Sequence, residues 1–453
     1  MVHQYINNGY HIVLDVNSGA VHVVDKVVYD VIPLFEKSSK EEIVQKLQGT
    51  YGREEIEEAV EEIAALKEEG SLFTEDTYEV PLQDFKKRPT VVKALCLHIA
   101  HDCNLACRYC FAEEGEYHGR RALMSYETGK AALDFLIANS GSRRNLEVDF
   151  FGGEPLMNFE VVRQLVAYGR EQEKLHDKHF RFTLTTNGVL LNDDIMEFAN
   201  REMDNVVLSI DGRKEVHDHM RPFRNGSGSY DLIVPKFQKF AESRNQDKYY
   251  VRGTYTHHNT DFSQDVLHLA DLGFKQISVE PVVAEETDDY AIQEGDLPKL
   301  FEEYDALAAE MVERNKRGEG FNFFHFMIDL EGGPCVYKRL SGCGSGTEYL
   351  AVTPWGDLYP CHQFVGNEKF LMGNVWDGVV NTELRDEFKC CNVYAKDRCR
   401  DCFAKFYCSG GCAANAYNFH GDILKTYEIG CELQKKRVEC AIMIKAALAE
   451  QEG

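Results

Sequence analysis

The apolar positions near the N-terminus first alternate and then recur at helical spacing. Residues 11–16 and 21–24 alternate, and the turn-forming Asn17-Ser18-Gly19 lies between them, which predicts a β-hairpin. Further on, apolar residues recur every three or four positions along one helical face: Ile56, Val60, Ile63 and Leu66. The hairpin and the helices after it predict a small winged-helix unit over residues 1–80.

The ends of these predicted helices carry their own signals. Ser39 precedes Glu42 by three residues, which is the spacing of a capping box at the start of a helix. Gly70 is expected to end a later helix, with residues 72–74 as a short returning strand. Residues 75–90 are polar and contain two prolines, which is typical of a linker.

Short apolar runs alternate with helical patterns in the middle of the chain. The runs cover residues 94–99, 146–151, 182–185, 206–210 and 277–279. Alternating strands and helices predict βα units, and therefore an α/β fold with a parallel sheet or barrel over residues 91–330. Beyond this point the order gives way to cysteine, glycine and aromatic residues, which predicts a third unit over residues 331–453 that metal clusters organise.

Composition and charge exclude several classes of protein. The chain has 453 residues, of which 44% are hydrophobic, and this content is typical of a globular protein. Its formal charge of −25 argues against nucleic acid as the ligand, because binding to phosphate depends largely on lysine and arginine. The sequence has neither a signal-peptide pattern nor a long apolar run, so we expect a cytoplasmic protein without a membrane partner.

The 15 cysteines are the unusual feature of the composition. In a cytoplasmic chain, closely spaced cysteines more often bind metal or carry out redox chemistry than form disulfides. Three of them follow the first strand of the middle unit: Cys103, Cys107 and Cys110. Three thiolates hold three irons of a [4Fe-4S] cube and leave the fourth iron open to a substrate or cofactor. The alternative is a structural zinc site, which needs a fourth ligand such as His101 or His118.

This Cys-x3-Cys-x2-Cys spacing, with Tyr109 before the last cysteine, resembles that of the radical S-adenosylmethionine (SAM) enzymes. Gly152-Gly153-Glu154-Pro155 ends the next strand and resembles the family motif whose backbone and glutamate hold the methionine amino group of SAM. The glycines permit a close approach because they lack a Cβ. The other SAM contacts that the resemblance implies are Tyr109 at the adenine, Asn187, Ser209, Asp211 and Arg221. The alternatives are ordinary turns at Asn187-Gly188 and Asp211-Gly212 and a surface position for Arg221.

Seven further cysteines form a dispersed second group: Cys343, Cys361, Cys399, Cys402, Cys408, Cys412 and Cys431. Their order resembles the SPASM domain of peptide-modifying radical SAM enzymes. The resemblance implies one auxiliary cluster on Cys399, Cys402, Cys408 and Cys431, and a second on Cys343, Cys361 and Cys412. The second cluster then has three thiolates, so that either Cys335 is its fourth ligand or one iron is open to a substrate thiolate. A zinc ribbon is the alternative for Cys399-x2-Cys402.

The charge of the N-terminal unit excludes the usual partner of a winged helix. Residues 1–80 contain 6 Lys and Arg against 17 Asp and Glu, a balance that repels DNA. The unit resembles the peptide-recognition element of ribosomal-peptide maturases, in which a leader peptide adds a strand to an exposed sheet edge. A dimerisation surface or a purely structural wing is the alternative.

Together the three parts resemble radical SAM and SPASM maturases of ribosomally made peptides, most closely those that form thioethers in SCIFF peptides. The resemblance implies a partial (β/α) barrel between a winged-helix domain and a SPASM domain, with SAM and three [4Fe-4S] clusters. It also implies an electron donor such as flavodoxin or ferredoxin, and a cysteine-rich precursor peptide bound through its leader by residues 1–80. In the implied reaction, a 5′-deoxyadenosyl radical removes a hydrogen atom from the peptide. A cysteine sulfur of the same peptide, held on the three-thiolate auxiliary cluster, then captures the carbon radical, and the surplus electron leaves through that cluster.

The sequence leaves other reactions open. A SPASM enzyme that oxidises a serine or cysteine to an aldehyde, or that forms a carbon-carbon crosslink, is the nearest alternative. A non-catalytic iron-sulfur carrier is an alternative of another class, and it would leave SAM intact. Beyond the cluster cysteines the sequence assigns no catalytic residue. His362 and the acidic run 285–289 are the candidates for a general base, although such a run is more often a solvated loop.

Overall fold

A computed structural model describes residues 1–79, 87, 89–330 and 336–452. In the N-terminal part, three antiparallel strands in the order β1-β2-β3 are followed by three helices. The strands are β1 (Val2–Asn7), β2 (Tyr10–Asp15) and β3 (Val21–Val23), and the helices are α1 (Lys26–Phe35), α2 (Lys40–Leu47) and α3 (Arg53–Glu68). Half of the predicted linker, residues 80–86 and 88, lies outside the described residues.

Local signals account for most of this part. The predicted hairpin is confirmed as the pair β2–β3, and the capping box is confirmed at Ser39 and Glu42, where both reciprocal hydrogen bonds form. The expected strand at residues 72–74 is wrong, because residues 71–73 form a bend. The backbone N–H of Thr74 instead donates to the carboxylate of Asp15 (3.0 Å), so it does not take part in a strand ladder.

The N-terminal part packs against the C-terminal part through the β1 side of its sheet. The ring of His3 stacks on Phe403 with centroids 3.5 Å apart, and the Tyr5 hydroxyl donates to the Glu439 carbonyl at 3.0 Å. These contacts cover the β1 side of the small sheet. The strand order places β3 at the opposite edge.

A second sheet forms the centre of the molecule. Its strand order is β11-β10-β9-β8-β7-β6-β4-β12-β13-β14-β15, with β5 paired to β4. Pairing is parallel from β11 through to β12 and antiparallel from β12 onwards. Its strands are β4 (Ala94–His101), β5 (Ala122–Leu123), β6 (Asn145–Gly152), β7 (His179–Thr186), β8 (Asn205–Ser209), β9 (Tyr249–Tyr255), β10 (Gln276–Pro281), β11 (Asn322–Phe323), β12 (Tyr349–Val352), β13 (Asp357–Tyr359), β14 (Gly373–Asn374) and β15 (Gly378–Val379).

The predicted βα alternation and parallel sheet are confirmed. All five predicted runs are strands, whereas β9 was not predicted because Arg252 and Gly253 interrupt its apolar pattern. The helices after α3 are α4 (Tyr126–Asn139), α5 (Phe159–His176), α6 (Asp193–Glu202), α7 (Lys214–Met220), α8 (Tyr230–Ser243), α9 (Phe262–Asp271), α10 (Leu297–Lys316), α11 (Val336–Ser341), α12 (Thr382–Cys390), α13 (Asp397–Arg400), α14 (Lys405–Cys408), α15 (Ala413–His420) and α16 (Glu428–Glu452).

The two faces of the central sheet differ. In β6, Val148 and Phe150 are fully buried in the hydrophobic core, whereas the intervening Asp149 is only half-buried. Successive residues of a strand point to opposite faces, so one face packs under helices and the other carries polar side chains. The sheet also crosses the predicted boundary at residue 330, because β12 pairs in parallel with β4. Among the described helices, none has the length and apolar character needed to cross a membrane.

Candidate radical SAM site

The first three cysteines and the ends of the parallel strands line one cavity of about 300 Å³. Cys103, Cys107 and Cys110 lie on the loop after β4 and form one wall. The opposite lining comes from residues at the carboxyl ends of neighbouring strands: Gly152, Gly153, Thr186, Asn187 and Ser209. Ligand sites of open α/β sheets form at this edge, where the carboxyl ends of the strands meet.

The two glycines allow the end of β6 to touch the cysteine loop. Gly152 has φ +116°, and a Cβ there would lie 2.4 Å from the Ala100 carbonyl oxygen. A Cβ on Gly153 would lie 2.2 Å from the Asp102 carbonyl oxygen. Both distances are shorter than any real carbon contact, so side chains at either position would push the loop and the strand apart.

The Glu154 carboxylate lies behind the cavity wall and ties two strand ends together. It is fully buried and accepts hydrogen bonds from the backbone N–H groups of Leu156 (2.9 Å) and Asn187 (2.7 Å). The Thr186 hydroxyl donates to it as well, at 2.8 Å. Burial raises the pKa of Glu154 to about 7, against the lowering effect of these donors. Glu154 does not line the cavity, but its neighbour Asn187 does, and the Asn187 side chain donates to Asn104 at 2.7 Å.

Asp211 is also engaged by the protein rather than exposed to the cavity. Its carboxylate accepts from the Tyr109 hydroxyl (2.7 Å), the Arg221 Nε (2.9 Å) and the Thr254 backbone N–H (3.0 Å). Tyr109, Ser209 and Arg221 line the cavity, and the Arg221 guanidinium lies 5.4 Å from the centre of the Tyr109 ring. The Arg221 side chain, which is 13% exposed, therefore lies at the site and not on the surface, with Asp211 as its counterion.

The thiols of the cysteine loop are better suited to bind a metal cluster than to act as unligated, reactive thiols. Burial raises the pKa of Cys103 and of Cys107 to about 12, so both free thiols are protonated at neutral pH. A bound metal releases such protons because it binds the thiolate. Within the described part of the chain, no three His, Cys, Asp or Glu side chains lie close enough to hold one metal ion. A [4Fe-4S] cube binds each thiolate through a separate iron. The loop thiols, with the glycine pair beside them, fit such a cube and SAM.

The seven dispersed cysteines lie in the C-terminal part and approach one another as two sets. Burial, then the thiols of Cys412 and Cys343, raise the pKa of Cys361 to about 12. In the same way, burial and the neighbouring thiols of Cys431, Cys399 and Cys402 raise the pKa of Cys408 to about 12. The chain thus brings together Cys343, Cys361 and Cys412 in one place, and the other four cysteines in another.

Two further cysteines bear on the first of these sets. Cys335 lies outside the described residues. Cys391, which the sequence analysis left aside, is half-buried, and burial raises the pKa of its thiol, with Cys343 and Cys412 among the neighbours that contribute. The spacing of Cys391 from the other cysteines did not predict that it lies near this set. Cys391 directly follows the end of α12, so its position relative to Cys343 and Cys412 depends on tertiary packing.

Several cavity residues were missed by the sequence analysis. Arg252 on β9 and Glu280 on β10 line the cavity and form an ion pair of 2.8 Å. A sequence signal was present for Glu280, which lies near the carboxyl end of β10, whereas Arg252 lies in the middle of β9, a strand that was not recognised. Of the two candidate general bases, His362 lines the cavity and burial lowers its pKa to about 4. The acidic run 285–289 is largely exposed and lies outside the cavity lining.

Comparisons with known proteins show what this chain is similar to. Residues 92–234 match the model of the 4Fe-4S single cluster domain. An uncharacterized protein of Archaeoglobus fulgidus is 27% identical over 360 residues, which cover 76% of this chain and 80% of that protein. The radical SAM cyclopropyl synthase TigE of Paramaledivibacter caminithermalis is 22% identical over 373 residues, 76% of this chain and 72% of the relative.

Solved structures agree with the fold. Native anSMEcpe with bound AdoMet has a TM-score of 0.65 at 20% identity, and the match covers 80% of this chain and all (100%) of that one. Streptococcus suis SuiB bound to the precursor peptide SuiA has a TM-score of 0.53 at 16% identity, covering 92% and 95% of the two chains. The resemblance to radical SAM enzymes that the sequence predicts is confirmed, and the comparisons support an enzyme. Its relatives include peptide- and protein-modifying maturases.

Proposed function

We propose that this enzyme forms an intramolecular thioether in a ribosomally made, cysteine-rich peptide. One observation carries the proposal. The cavity beside Cys103, Cys107 and Cys110 is also lined by His362 and Gln363, which directly follow Cys361 of the dispersed group. A peptide in this cavity would lie between both groups of cysteines, so that one of its residues faces SAM while one of its thiols faces the second group.

Within this proposal, Cys103, Cys107 and Cys110 would hold the cluster that binds SAM. When bound there, such a cluster and SAM would supply the radical chemistry needed to remove a hydrogen atom from the peptide. Gly152 and Gly153, which lack a Cβ, would let the backbone at the end of β6 come close to the amino group of SAM. The polar side chains that would contact SAM are those of Tyr109, Asn187, Ser209 and Arg221. Glu154 and Asp211 would act as positioning residues, since protein donors already occupy both carboxylates.

Two auxiliary [4Fe-4S] clusters complete the proposal, for a total of three. One would bind Cys399, Cys402, Cys408 and Cys431, and the other Cys343, Cys361 and Cys412. With only three protein thiolates, this cluster would have a position open to a substrate thiol. Binding of that thiol to the metal would release its proton and fix its place. A small electron donor such as a flavodoxin or ferredoxin would supply the reducing electron.

Residues 1–80 are proposed as a winged-helix domain that binds the leader, before a partial barrel (91–330) and a SPASM domain (331–453). Val24 N–H donates to the His11 carbonyl (3.0 Å), so by antiparallel alternation Val21 and Val23 turn their backbone groups away from β2. These groups offer a strand edge to an added peptide. A fold relative, SuiB, has been solved bound to its precursor peptide SuiA, which supports this role.

The leader edge is tested by Val23→Pro. Proline removes the outward N–H at this edge position and leaves the bonds between β2 and β3 in place. We expect the KM for a leader-containing peptide to rise about tenfold, the order expected for a lost backbone hydrogen bond with local disturbance. The matched control, Val23→Ala, keeps the N–H and should leave this KM near the wild-type value. An unchanged KM in Val23→Pro would contradict leader binding at β3.

Oxidation of a side chain to an aldehyde is the second candidate function, because relatives include cysteine-type anaerobic sulfatase-maturating enzymes, 24% identical over 338 residues. The fold of anSMEcpe, however, matches only 80% of this chain, whereas that of SuiB matches 92%. The larger overlap favours a maturase with an additional N-terminal domain. A carbon-carbon crosslink is the variant suggested by the resemblance to the cyclopropyl synthase TigE.

The experiment is high-resolution mass spectrometry of a synthetic cysteine-rich precursor peptide. The peptide is incubated anaerobically with reduced, iron-reconstituted enzyme and SAM, and its thiols are then alkylated. Loss of two hydrogens with one thiol protected from alkylation supports a thioether. The same loss with every thiol alkylated indicates another oxidation or a carbon-carbon bond, and an unchanged peptide despite SAM cleavage contradicts the proposed substrate.

A further inference from the structure

A second cavity, of about 400 Å³, adjoins the one beside the cysteine loop. Phe111, Gln363 and Asn418 line both cavities and therefore stand where the two meet. Val365, Asn367 and Glu368 belong only to the second cavity. A chain that enters the second cavity from the surface therefore passes these three shared residues before it reaches the cysteine loop.

The shared residues carry hydrogen-bonding groups that the protein leaves unused. In the described part of the chain, the side-chain amides of Gln363 and Asn418 have no hydrogen-bond partner. Each of these amides has an N–H₂ donor and a carbonyl acceptor, which together complement a peptide group. Phe111, whose side chain is 49% exposed, presents an aromatic surface beside them.

The charges of the cavity favour a peptide over an anionic ligand. His118 is the cationic candidate in the lining, and its Nδ1 is already paired with Glu113 at 2.9 Å. Glu368 is exposed and adds a negative charge to the wall. A phosphate needs unpaired arginine or lysine, whereas an extended peptide needs neutral donors and acceptors with an apolar surface beside them.

The walls of this cavity are attached to both cysteine groups. Residues 363–368 follow Cys361, and Asn418 lies on α15, whose N-cap is Cys412. Gly366 (φ +92°) packs so closely on the loop after Cys110 that a Cβ would lie 2.3 Å from the Tyr117 carbonyl oxygen. The walls that a ligand in this cavity would contact are therefore joined directly to segments of both cysteine groups.

We infer that the second cavity binds the main chain of an extended core-peptide segment through the side-chain amides of Gln363 and Asn418. This inference rests on the proposed function and names the surface that positions the substrate. It assigns to the two amides a role distinct from that of β3, which would bind the leader, because they hold the peptide beside the residues to be joined.

Steady-state kinetics with the synthetic cysteine-rich precursor peptide test the inference. In Gln363→Ala and Asn418→Ala we expect the KM for the peptide to rise about three- to tenfold each, the loss expected for a hydrogen bond to a neutral group. The KM for SAM should rise less than the KM for the peptide. Asn418→Asp keeps an acceptor and should fall between Asn418→Ala and wild type. Asn200→Ala is the matched control, since Asn200 is an exposed helical asparagine bonded to Ser243 (2.9 Å).

A photocrosslink gives a readout that does not depend on turnover. With p-benzoylphenylalanine at position 418 of the full enzyme, ultraviolet light should attach the peptide, and fragment masses should locate the link in the core and not in the leader. The same group at position 200 should give no link.

The outcomes separate this inference from the proposed function. If wild type modifies the peptide but both alanine variants keep the wild-type KM and position 418 forms no crosslink, the inference is wrong and the proposed function stands. If wild type cleaves SAM but leaves the peptide unmodified, the proposed function fails, and the inference fails with it.

Discussion

The two cysteine groups of this enzyme are built in different ways. The first group lies on one loop of eight residues, Cys103 to Cys110, and all three of its thiols line one cavity. The second group extends from Cys343 to Cys431 and is distributed over several short helices and loops. The position of the first group thus depends mainly on local chain spacing, and that of the second on tertiary packing.

Two buried lysines hold the loops of the second cysteine group in place. Lys396 is 2% exposed, and its ammonium donates to the carbonyls of Gly410 (3.0 Å) and Lys425 (3.1 Å), which draws two cysteine-bearing loops together. Lys405, which is 3% exposed, pairs with Asp76 of the N-terminal part at 2.7 Å. A buried charge is tolerated only with such partners, so these contacts fix loops that have no strand to hold them.

The largest expected effect separates the two groups directly. In Cys103→Ala we expect SAM cleavage to fall to the rate without enzyme, because two thiolates remain for a cube that needs three here. The measurement is anaerobic formation of 5′-deoxyadenosine together with the iron content. Cys440→Ala removes a fully buried thiol outside both groups and should retain cleavage. Substantial cleavage by Cys103→Ala would contradict the assignment of the loop.

Loss of a cysteine from the dispersed group should have a smaller and different effect. Cys408 does not line the cavity beside the cysteine loop, so Cys408→Ala should lower peptide turnover by about 10- to 100-fold and SAM cleavage by much less. Comparing both rates in one preparation tests this contrast. Equal loss of the two rates would mean that the groups act as one structural unit.

Glu154→Gln tests the buried carboxylate behind the first group. Burial holds the pKa of Glu154 at about 7, above its ordinary 4.5, so between these values the native state binds more protons than the unfolded state. The free energy of unfolding therefore falls as pH rises from about 4.5 to 7, by at most about 3 kcal/mol from this group. Thermal unfolding of both proteins across this range should show a flatter pH dependence in Glu154→Gln. An unchanged slope would contradict the raised pKa.

The smallest effect concerns the contact between the cysteine loop and the glycine pair. Tyr117 is 2% exposed, its ring stacks on His101 at 4.7 Å, and its hydroxyl donates to the Gly152 carbonyl at 3.2 Å. Tyr117→Phe keeps the ring and removes that hydrogen bond, so the KM for SAM should rise about two- to tenfold. Tyr126→Phe serves as the control. A change in kcat alone would argue against a role in positioning Gly152.

The sequence was sufficient for features that depend on neighbours along the chain. The capping box at Ser39, the β2–β3 hairpin and the five predicted strands each have a local pattern, and the structure confirms them. The close spacing of Cys103, Cys107 and Cys110 likewise identified a common site before any fold was known. Local patterns failed at residues 72–74, where the Asp15 carboxylate, distant in sequence, binds the Thr74 N–H.

Tertiary structure alone decided which distant residues share the cavity. Arg252 and Glu280 line the same cavity as Cys103 because the parallel strands β9 and β10 lie side by side in the central sheet, and β9 was not recognised from the apolar pattern. Gln363 and Asn418 reach the same cavity because β12 joins the central sheet beside β4 and carries the C-terminal part with it. The sequence by itself determined the spacing of the cysteine loop, from which its cluster chemistry is predicted, and the resemblance to radical SAM enzymes. The fold determined which distant residues line the rest of the cavity, because contacts between residues far apart in the chain depend on packing and not on spacing.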